Sequence, residues 1–585
     1  MGMGWWGTHF NRHQTWAKDG IAFFQYLGRT QALLQSGETP SDFVSVGKSQ
    51  GSDIISWHEF RDGVTVRDGH IVLSSGRSYP FLGIPRDGRL LPRDVSRIES
   101  LLKEGAVIVC AKPGGSPGQA GYPPSDQEVK TSSLWNDEPV RSVGKGKLYT
   151  KGDTGAASHD FKITPLIQFP NASGIAGTAR HTKDETLFFV ANTNDESSTF
   201  TTSFRITGKR PELWDAESGS ICFAPVWRQK KGHTEVDPTL NANRSIFVVF
   251  RGSPIPADHV VLVASQASGG AAHEIVRARF GASSADRWMD VTDKLKSLSR
   301  AGAIRLPAAT PGVFGGDPVP NVVKQLEVEY ILAGKSSRIS VDEGKPLNLG
   351  TPGTSSQLNL TALPDGAVVG SSASASRAEL VYASGKRAPV MLAAPAAPAS
   401  LDRPWQVSLD SPVDSKRSIS LPSLVDLARH TDPAVRYFSG TATYSKKFEI
   451  SEIKSPVHLD LGKVHDLARV TLNGKDLGVL WQAPFTLDIS SALKTGENHL
   501  EIAVTNTWHN RLVGDEQFPA DFEWGEDRAE KGHAMKAYPE WFLKNQPRPE
   551  KNRKCFVIWY YHREDTALLP AGLAGPVTLV PQSSF

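Results

Sequence analysis

Cysteine is scarce in this chain. Only Cys110, Cys222 and Cys555 occur among its 585 residues, and they lie far apart in sequence. The sequence has no CxxC pair and no other spacing typical of a metal site, which argues against a disulfide framework and a zinc site. The pattern favours three buried thiols.

Long apolar runs and an excess of one charge are also missing. No apolar run approaches the length of about 18 residues that a transmembrane helix needs, so no membrane partner is expected. The opening residues lack the basic and apolar regions of a signal peptide, as expected for a cytoplasmic protein or for a fragment. Lys and Arg number 65 against 62 Asp and Glu. This balance, without a basic cluster, argues against a nucleic-acid partner.

Short motifs with a well-defined catalytic mechanism are missing too. The sequence contains no GxSxG, no HExxH, no P-loop and no convincing GxGxxG. The chain is nevertheless rich in tryptophan, with 14 residues. Their flat rings suit both sandwich cores and stacking on sugar rings, and for any single Trp the core is the favoured interpretation.

The pattern of apolar residues changes near residue 150. Before it, an amphipathic helix is predicted over residues 16–36 and another over residues 92–105, with a hairpin turn at Asp68-Gly69 between them. The alternation of strand and helix predicts a parallel sheet. After it, short alternating strands separated by turn residues predict β-sandwiches. Residues 351–400, rich in Ala, Ser, Gly and Pro, are expected to be a weak strand region and a linker.

Two segments mix aromatic and polar side chains in a way that neither a helix nor a core requires. The first, residues 3–16, supplies Trp, His, Asn and Arg side chains, the residue types that line concave polysaccharide sites. Its alternative interpretation is a capped helix start, with Asn11 or Thr15 as the cap. The second, residues 507–527, is typical of a carbohydrate or calcium loop. For this segment a structural docking loop, in which Arg511 pairs with a carboxylate, is favoured.

The opening phrase resembles one found in α-L-rhamnosidases of glycoside hydrolase family 106, in the form G-x-HF-x-R-x-x-TW. Further segments are similar to that family in the same order, among them GAVIVCAKPGGSPG, GKRPELWDAESGSI and FGGDPVPNVVKQLEVEY. The segments LNGKDLGVLWQAPFTLDI and LLPAGLAGPV resemble its terminal galactose-binding-like domain. The likeness covers nearly the whole chain, and the order of its parts is its most specific feature.

The resemblance implies a multidomain α/β plus all-β fold. It implies the tail of a (β/α)8 catalytic barrel at 1–26, an amidotransferase-like α/β domain at 27–150 and a β-sandwich at 155–262. A β-rich module at 268–350, a linker or irregular segment at 351–400 and a galactose-binding-like jelly roll at 401–585 follow.

The resemblance also implies a function. The chain is expected to be the C-terminal part of an inverting α-L-rhamnosidase that hydrolyses terminal α-L-rhamnosyl residues of plant or microbial glycans or glycosides. A rhamnose-containing carbohydrate and the missing N-terminal barrel would be its partners, and calcium is expected at the sugar site, without assigned ligands. The full-length protein is expected to be periplasmic or secreted. The alternative is a set of non-catalytic carbohydrate-binding or scaffolding modules.

No catalytic residue is assigned, because the two glutamates that such enzymes use lie upstream of the segment that this chain resembles. The chain alone is therefore expected to be inactive. The predicted substrate-binding residues all belong to the first mixed segment: Trp5, His9, Asn11, Arg12 and Trp16.

Overall fold

The computed structural model divides into two compact units. The larger unit comprises Met1–Leu27 and Pro256–Phe585, and the smaller comprises Gly28–Ile255. The structure describes residues 3–4, 7–8, 10–47, 52–84, 89–117, 124–170, 172–265, 273–282, 285–297, 304–306, 309–320, 322–332, 335–345, 347–349, 358–401, 404–526, 533–555 and 557–585.

The smaller unit begins with a six-stranded sheet of mainly parallel strands. In spatial order the strands are Val140–Val143, Gly146–Tyr149, Val107–Val109, Leu82–Gly83, Val44–Val46 and Asp53–Ile55. All neighbouring pairs are parallel except the first, which is an antiparallel hairpin. The helices of this region are Pro92–Glu104, Pro124–Thr131 and Thr154–Asp160, with a π-helical turn at Glu59–Gly63. Strands alternating with helices follow the predicted pattern.

The helix Pro92–Glu104 shows how local sequence sets these elements. Proline occupies its first turn, where the missing N–H costs nothing, and Gly105 ends it in the left-handed conformation with φ 116°. The Asp94 carboxylate accepts the N–H of Leu91 at 3.1 Å and so satisfies one of the unpaired donors at the helix start. Apolar residues at helical spacing, among them Ile98 and Leu101, are fully buried against the sheet.

Two layers of antiparallel strands complete the smaller unit. One sheet contains Ile175–His181, Thr186–Asn192, Ser245–Phe250, Pro211–Trp214 and Ile221–Phe223, and the other contains Ile167–Gln168, Thr202–Phe204, His233–Val236 and Trp227–Lys230. Alternate side chains of both sheets meet in a core that includes Phe188, Phe204, Trp227 and Phe250. This arrangement is the predicted sandwich, with one apolar face per sheet.

The larger unit contains a β-module between residues 273 and 349. Its four-stranded sheet runs in the order Arg287–Asp290, His273–Ala282, Gln325–Leu332, Lys335–Asp342, and the pair Ile304–Leu306 with Leu347–Leu349 packs beside it. Two short helices, Thr292–Ser297 and Pro311–Phe314, belong to the same module. One face of the four-stranded sheet packs in the core of the module. The opposite face carries charged side chains such as Arg279 and Glu327.

The segment expected to be an irregular linker is not irregular in its described part. It forms the strands Asn359–Ala362, Val368–Ser372, Ser376–Tyr382 and Arg387–Leu392. Alternate residues such as Ala362, Leu380 and Leu392 are buried. The small residues between them lower the apparent hydrophobicity of the segment, although the buried positions alternate as in a half-buried strand. Residues 359–392 therefore agree with the weak strand region expected within 351–400 and not with an irregular linker.

The C-terminal region of the larger unit is a β-sandwich. Its six-stranded sheet contains Asp414–Leu421, Trp405–Ser411, Thr441–Ile450, Gly496–Thr505, Leu467–Leu472 and Lys475–Leu480, and the opposing sheet contains Ala399–Ser400, Thr578–Pro581, Val457–Asp460 and Thr486–Asp488. The pair Lys463–His465 with Gly572–Gly575 joins them, and short helices lie at Leu427–Arg429, Pro433–Arg436, His509–Asp515 and Glu540–Leu543. Trp405 and Tyr444 lie at the centre of the core, where truncation to Ala would cost about 3–5 kcal/mol.

Several smaller predictions have clear outcomes. The hairpin turn at Asp68-Gly69 is confirmed, with φ 52° and 76°, the positive values that a two-residue hairpin loop requires. All three cysteines are free thiols; Cys110 and Cys555 are buried, and Cys222 is half-buried. Within the part of the chain that the structure describes, no helix is both long and apolar enough to cross a bilayer.

Candidate functional site

The first helix begins later than predicted. It spans Ile21–Leu34, and residues 11–20 form consecutive turns instead. Gly20 precedes the helix, and a Cβ there would come within 2.7 Å of the Trp16 ring. The turns replace the first helical residues because side chains of this segment are engaged elsewhere in the fold.

Contacts with the C-terminal sandwich hold residues 10–20, the opening segment, in place. The Asp19 carboxylate accepts from the Nε and Nη2 of Arg469 at 3.0 and 2.7 Å, a partly buried arrangement worth about 1.5–3 kcal/mol. The Thr15 hydroxyl donates to the Asn506 carbonyl, and the Trp508 indole N–H donates to the His13 carbonyl at 2.8 Å.

Aromatic contacts extend the same attachment along the helix. The rings of Phe23 and Tyr26 pack against Trp481, with centroid distances of 5.2 and 5.5 Å. Because the attachment combines an ion pair, two hydrogen bonds and ring contacts, it fixes the position of the opening segment on the C-terminal sandwich.

The segment surrounds an open depression of about 470 Å³, a size typical of small-ligand sites. Seven residues line it: Phe10, Asn11, Arg12, Trp16, Ala17, Lys18 and Phe24. Three of the five predicted sugar-binding residues, Asn11, Arg12 and Trp16, are therefore brought together. Trp5 and His9 lie outside the described residues.

The predicted residues differ in how free their polar groups are. Arg12 is exposed. The side-chain oxygen of Asn11 accepts the backbone N–H of His13 at 2.9 Å, a local turn. Asn11 does not cap a helix, as the alternative interpretation required, because the first helix begins at Ile21. Trp16 is half-buried between Phe10 and Phe24, with centroid distances of 5.5 and 6.3 Å. Its position therefore serves packing as well as the depression.

Sequence reasoning missed the other four lining residues, of which Phe10, Lys18 and Phe24 are exposed. Phe10 is 78% exposed, and Lys18 is the second cation beside the depression. Phe10 belongs to the opening phrase itself. Lys18 was placed within a helix by the periodicity, which gave no sign that it faces the same side as Arg12.

The second mixed segment belongs to a long excursion, residues 506–571, that connects two strands of the C-terminal sandwich. Arg511 lies 3.1 Å from a carboxylate oxygen of Asp515, and that carboxylate also accepts the backbone N–H groups of Lys554 and Cys555, at 3.0 and 2.5 Å. Burial raises the pKa of Asp515, although Arg511 opposes the shift. The predicted pairing of Arg511 with a carboxylate is confirmed.

Two further ion pairs brace the excursion. Arg553 pairs with Glu516 at 2.6 Å, and Arg548 pairs with Asp521 at 2.6 and 3.0 Å. All four side chains are largely shielded from solvent. In the part of the chain that the structure describes, no three His, Cys, Asp or Glu side chains are arranged to hold a metal ion. Because arginines engage its shielded carboxylates, those of Asp515, Glu516 and Asp521, this part of the excursion has a structural role.

The fold and the site thus define a multi-module protein, mostly β, with a short aromatic and polar segment attached to a terminal sandwich. Residues 44–224 match the family model of the α-L-rhamnosidases, glycoside hydrolase family 106. Residues 427–541 match the galactose-binding domain-like model of glycosyl hydrolase family 2. The predicted resemblance to family 106 is thereby confirmed for residues 44–224, and the predicted resemblance to a galactose-binding-like domain is confirmed for residues 427–541. The matched range begins after the opening phrase.

Two further proteins are similar over nearly the whole chain. A rhamnosidase from Novosphingobium sp. PP1Y superposes with a TM-score of 0.60 at 22% identity, over 99% of this chain and 42% of its own; at that identity the likeness shows the fold alone. A protein of Formosa agariphila, whose name gives β-glucuronidase as a provisional activity, is 28% identical over 98% of this chain and 58% of its own length. The chain therefore spans little more than half of that curated relative.

Proposed function

We propose that the chain is the C-terminal part of an inverting α-L-rhamnosidase and that its opening segment supplies part of the sugar site. The observation that carries the proposal is the family match over residues 44–224 together with the likeness of fold across 99% of the chain. The amidotransferase-like character of the parallel sheet and the jelly-roll topology of the terminal sandwich belong to the same proposal.

Inverting hydrolysis needs two carboxyl groups about 6.5–9.5 Å apart, one to protonate the leaving oxygen and one to activate water. We assign neither to this chain, and we expect both on an upstream barrel. The exposed Arg12 then donates to vicinal hydroxyls through its forked N–H groups. The ring of Phe10 or Trp16 packs on the apolar face of a deoxy sugar. Trp5 and His9 remain proposed members of the site.

Calcium, a rhamnose-containing glycan and export from the cytoplasm are further parts of the proposal. Calcium would need oxygen ligands from carboxylates and carbonyls. The carboxylates of the braced excursion are paired with arginines, so they do not fit that role. No step of the reaction is therefore assigned to calcium.

The test compares the chain alone with a longer protein that joins it to an upstream barrel. We expect the chain alone to release no rhamnose from an aryl α-L-rhamnoside, whereas the longer protein should do so and should first yield the β-anomer. An aryl β-D-glucuronide is the necessary comparator, given the name of the Formosa agariphila relative. Hydrolysis by the chain alone, abolished by one of its own carboxylate substitutions, would overturn the proposal.

A further inference from the structure

A charged depression lies on the solvent face of the four-stranded sheet in the β-module of residues 273–349. It has a volume of about 190 Å³ and is lined by Arg277, Arg279, Glu327, Glu329 and Arg338. The strand register explains the clustering. Ala278, Phe280, Leu326 and Val328 point into the core, so the residues between them on neighbouring strands share the outer face. Polar residues are expected there, and in this depression they are three arginines and two glutamates.

The cations in this depression outnumber the carboxylates. Arg279 approaches one oxygen of Glu327 through both Nε and Nη2 at 2.7 Å, and Arg338 donates to the same oxygen. Burial opposes ionisation, yet these arginines hold the pKa of Glu327 below its usual value. Because two guanidinium groups share one carboxylate, and each offers five N–H donors, several donors stay available.

Arg277 adds a charge without an ion pair. Across the described residues no carboxylate oxygen lies within 4.0 Å of its guanidinium. Glu329 is the cross-strand partner of Arg277, and the charge of Arg277 also acts on Asp290, whose carboxylate accepts the backbone N–H of Thr292 at 2.8 Å. Arg277 is exposed, so it contributes little to the stability of the sheet.

A tryptophan lies at the border of the same cluster. The guanidinium carbon of Arg279 stands 4.2 Å from the ring centroid of Trp288, a cation–π contact that fixes the guanidinium. Trp288 pairs across the strands with Gly281 and is half-buried. A flat aromatic ring beside fixed guanidinium groups combines a surface for a sugar ring with donors for an acidic substituent.

We propose that this depression binds an acidic sugar unit, with the arginines engaging its carboxylate or sulfate group and Trp288 contacting the ring. The β-module would then hold the protein to an anionic glycan, at a site separate from the opening segment. That the ligand is a carbohydrate rests on the proposed function; the anionic group rests on the depression alone. The competing explanation is that the charges only pair across strands.

The experiment measures binding of three hexasaccharides to the full chain by calorimetry. Hexagalacturonate carries carboxylates only, a κ-carrageenan hexasaccharide carries sulfates only, and cellohexaose carries neither. We expect one or both acidic probes to bind, cellohexaose not to bind, and Arg277→Ala to weaken binding at least about tenfold. Trp288→Ala should also weaken binding. A higher salt concentration should weaken the binding of the acidic probes to the wild-type chain, since salt screens the charged contacts.

The control is Arg377→Ala, another exposed arginine of the same unit, which should bind as the wild type does. Since Arg277 makes no ion pair with any residue that the structure describes, its variant should unfold at the wild-type temperature, so a loss of binding cannot be ascribed to unfolding. Equal binding of all three probes, binding of none, or wild-type affinity in Arg277→Ala would overturn the proposal. No catalysis is measured, so the outcome is independent of whether the chain contributes to rhamnoside hydrolysis.

Discussion

Two segments of the larger unit share a composition and differ in how their polar groups are used. The opening segment, residues 10–20, and the excursion of residues 506–571 both mix aromatic side chains with Arg, Asn and His. In the excursion Arg511, Arg548 and Arg553 are shielded and paired with carboxylates. In the opening segment Arg12 is exposed beside an open depression.

The difference teaches that residue types alone do not separate a binding site from a structural loop. A buried charge must be paired, because leaving it unpaired costs several kcal/mol, so a paired arginine in a shielded loop is explained by folding. An exposed arginine beside a concave surface has no such explanation. The comparison therefore predicts stability effects from one segment and functional effects from the other.

The largest effect is expected from Asp515→Ala. The substitution leaves Arg511 and two backbone N–H groups without their buried acceptor. It should lower the free energy of unfolding by about 3–5 kcal/mol, measured by urea denaturation. The control is Glu497→Ala, which removes an exposed ion pair with Lys447 and should cost at most about 1 kcal/mol. Equal effects for both variants would show that the excursion is not braced by its buried pairs.

Arg12→Ala should act on catalysis instead. In the complete enzyme we expect kcat/KM on a rhamnoside to fall about tenfold or more, or about 1.4 kcal/mol, with unchanged thermal stability. His9→Ala at the neighbouring predicted position should behave in the same way. Arg67→Ala, an exposed arginine of the parallel-sheet region, is the matched control. Wild-type kinetics in Arg12→Ala would remove it from the proposed site.

The sequence predicted the classes of structure better than it predicted these roles. The helix ending at Gly105 and the turn at Asp68-Gly69 were predictable because proline, glycine and apolar spacing act locally. The start of the first helix was not predictable from sequence, because Asp19 forms an ion pair with Arg469, which is distant in sequence. The depression beside the opening segment was not predictable either. A local sequence pattern shows which side chains are polar, but it does not show which of them are shielded from solvent by tertiary contacts.

A smaller effect is expected from pH at the excursion. His562 lies 3.2 Å from His509, and burial, with that neighbour, lowers the pKa of His562 from 6.5 to about 4. The unfolded chain therefore takes up a proton between these values and the native state does not, so stability falls as the pH is lowered from 6.5 to 4. After solvent screening we expect a loss of about 1 kcal/mol.

The measurement is the slope of the unfolding free energy against pH over that interval. His562→Gln should flatten the slope, whereas the same change at the exposed His70 should leave it unaltered. If His562→Gln keeps the wild-type slope, the pH dependence does not arise from the half-buried His509–His562 pair.

The smallest effect is expected at Asn11. It separates two interpretations of this residue, a structural turn residue and a sugar-binding residue. Its side-chain oxygen accepts the His13 N–H, and its amide group also lies at the depression. Asn11→Asp keeps an acceptor for the turn and removes the amide donor, so the fold should be retained within about 0.5 kcal/mol. If the amide donates to a sugar hydroxyl, kcat/KM of the complete enzyme should still fall by about three- to tenfold, since one hydrogen bond is worth about 0.5–1.5 kcal/mol. Asn11→Ala removes acceptor and donor together and should lower both stability and kcat/KM. Wild-type kinetics in Asn11→Asp, with a stability loss in Asn11→Ala alone, would show that Asn11 is a turn residue. Arg12 would then remain a proposed sugar-binding residue of the segment.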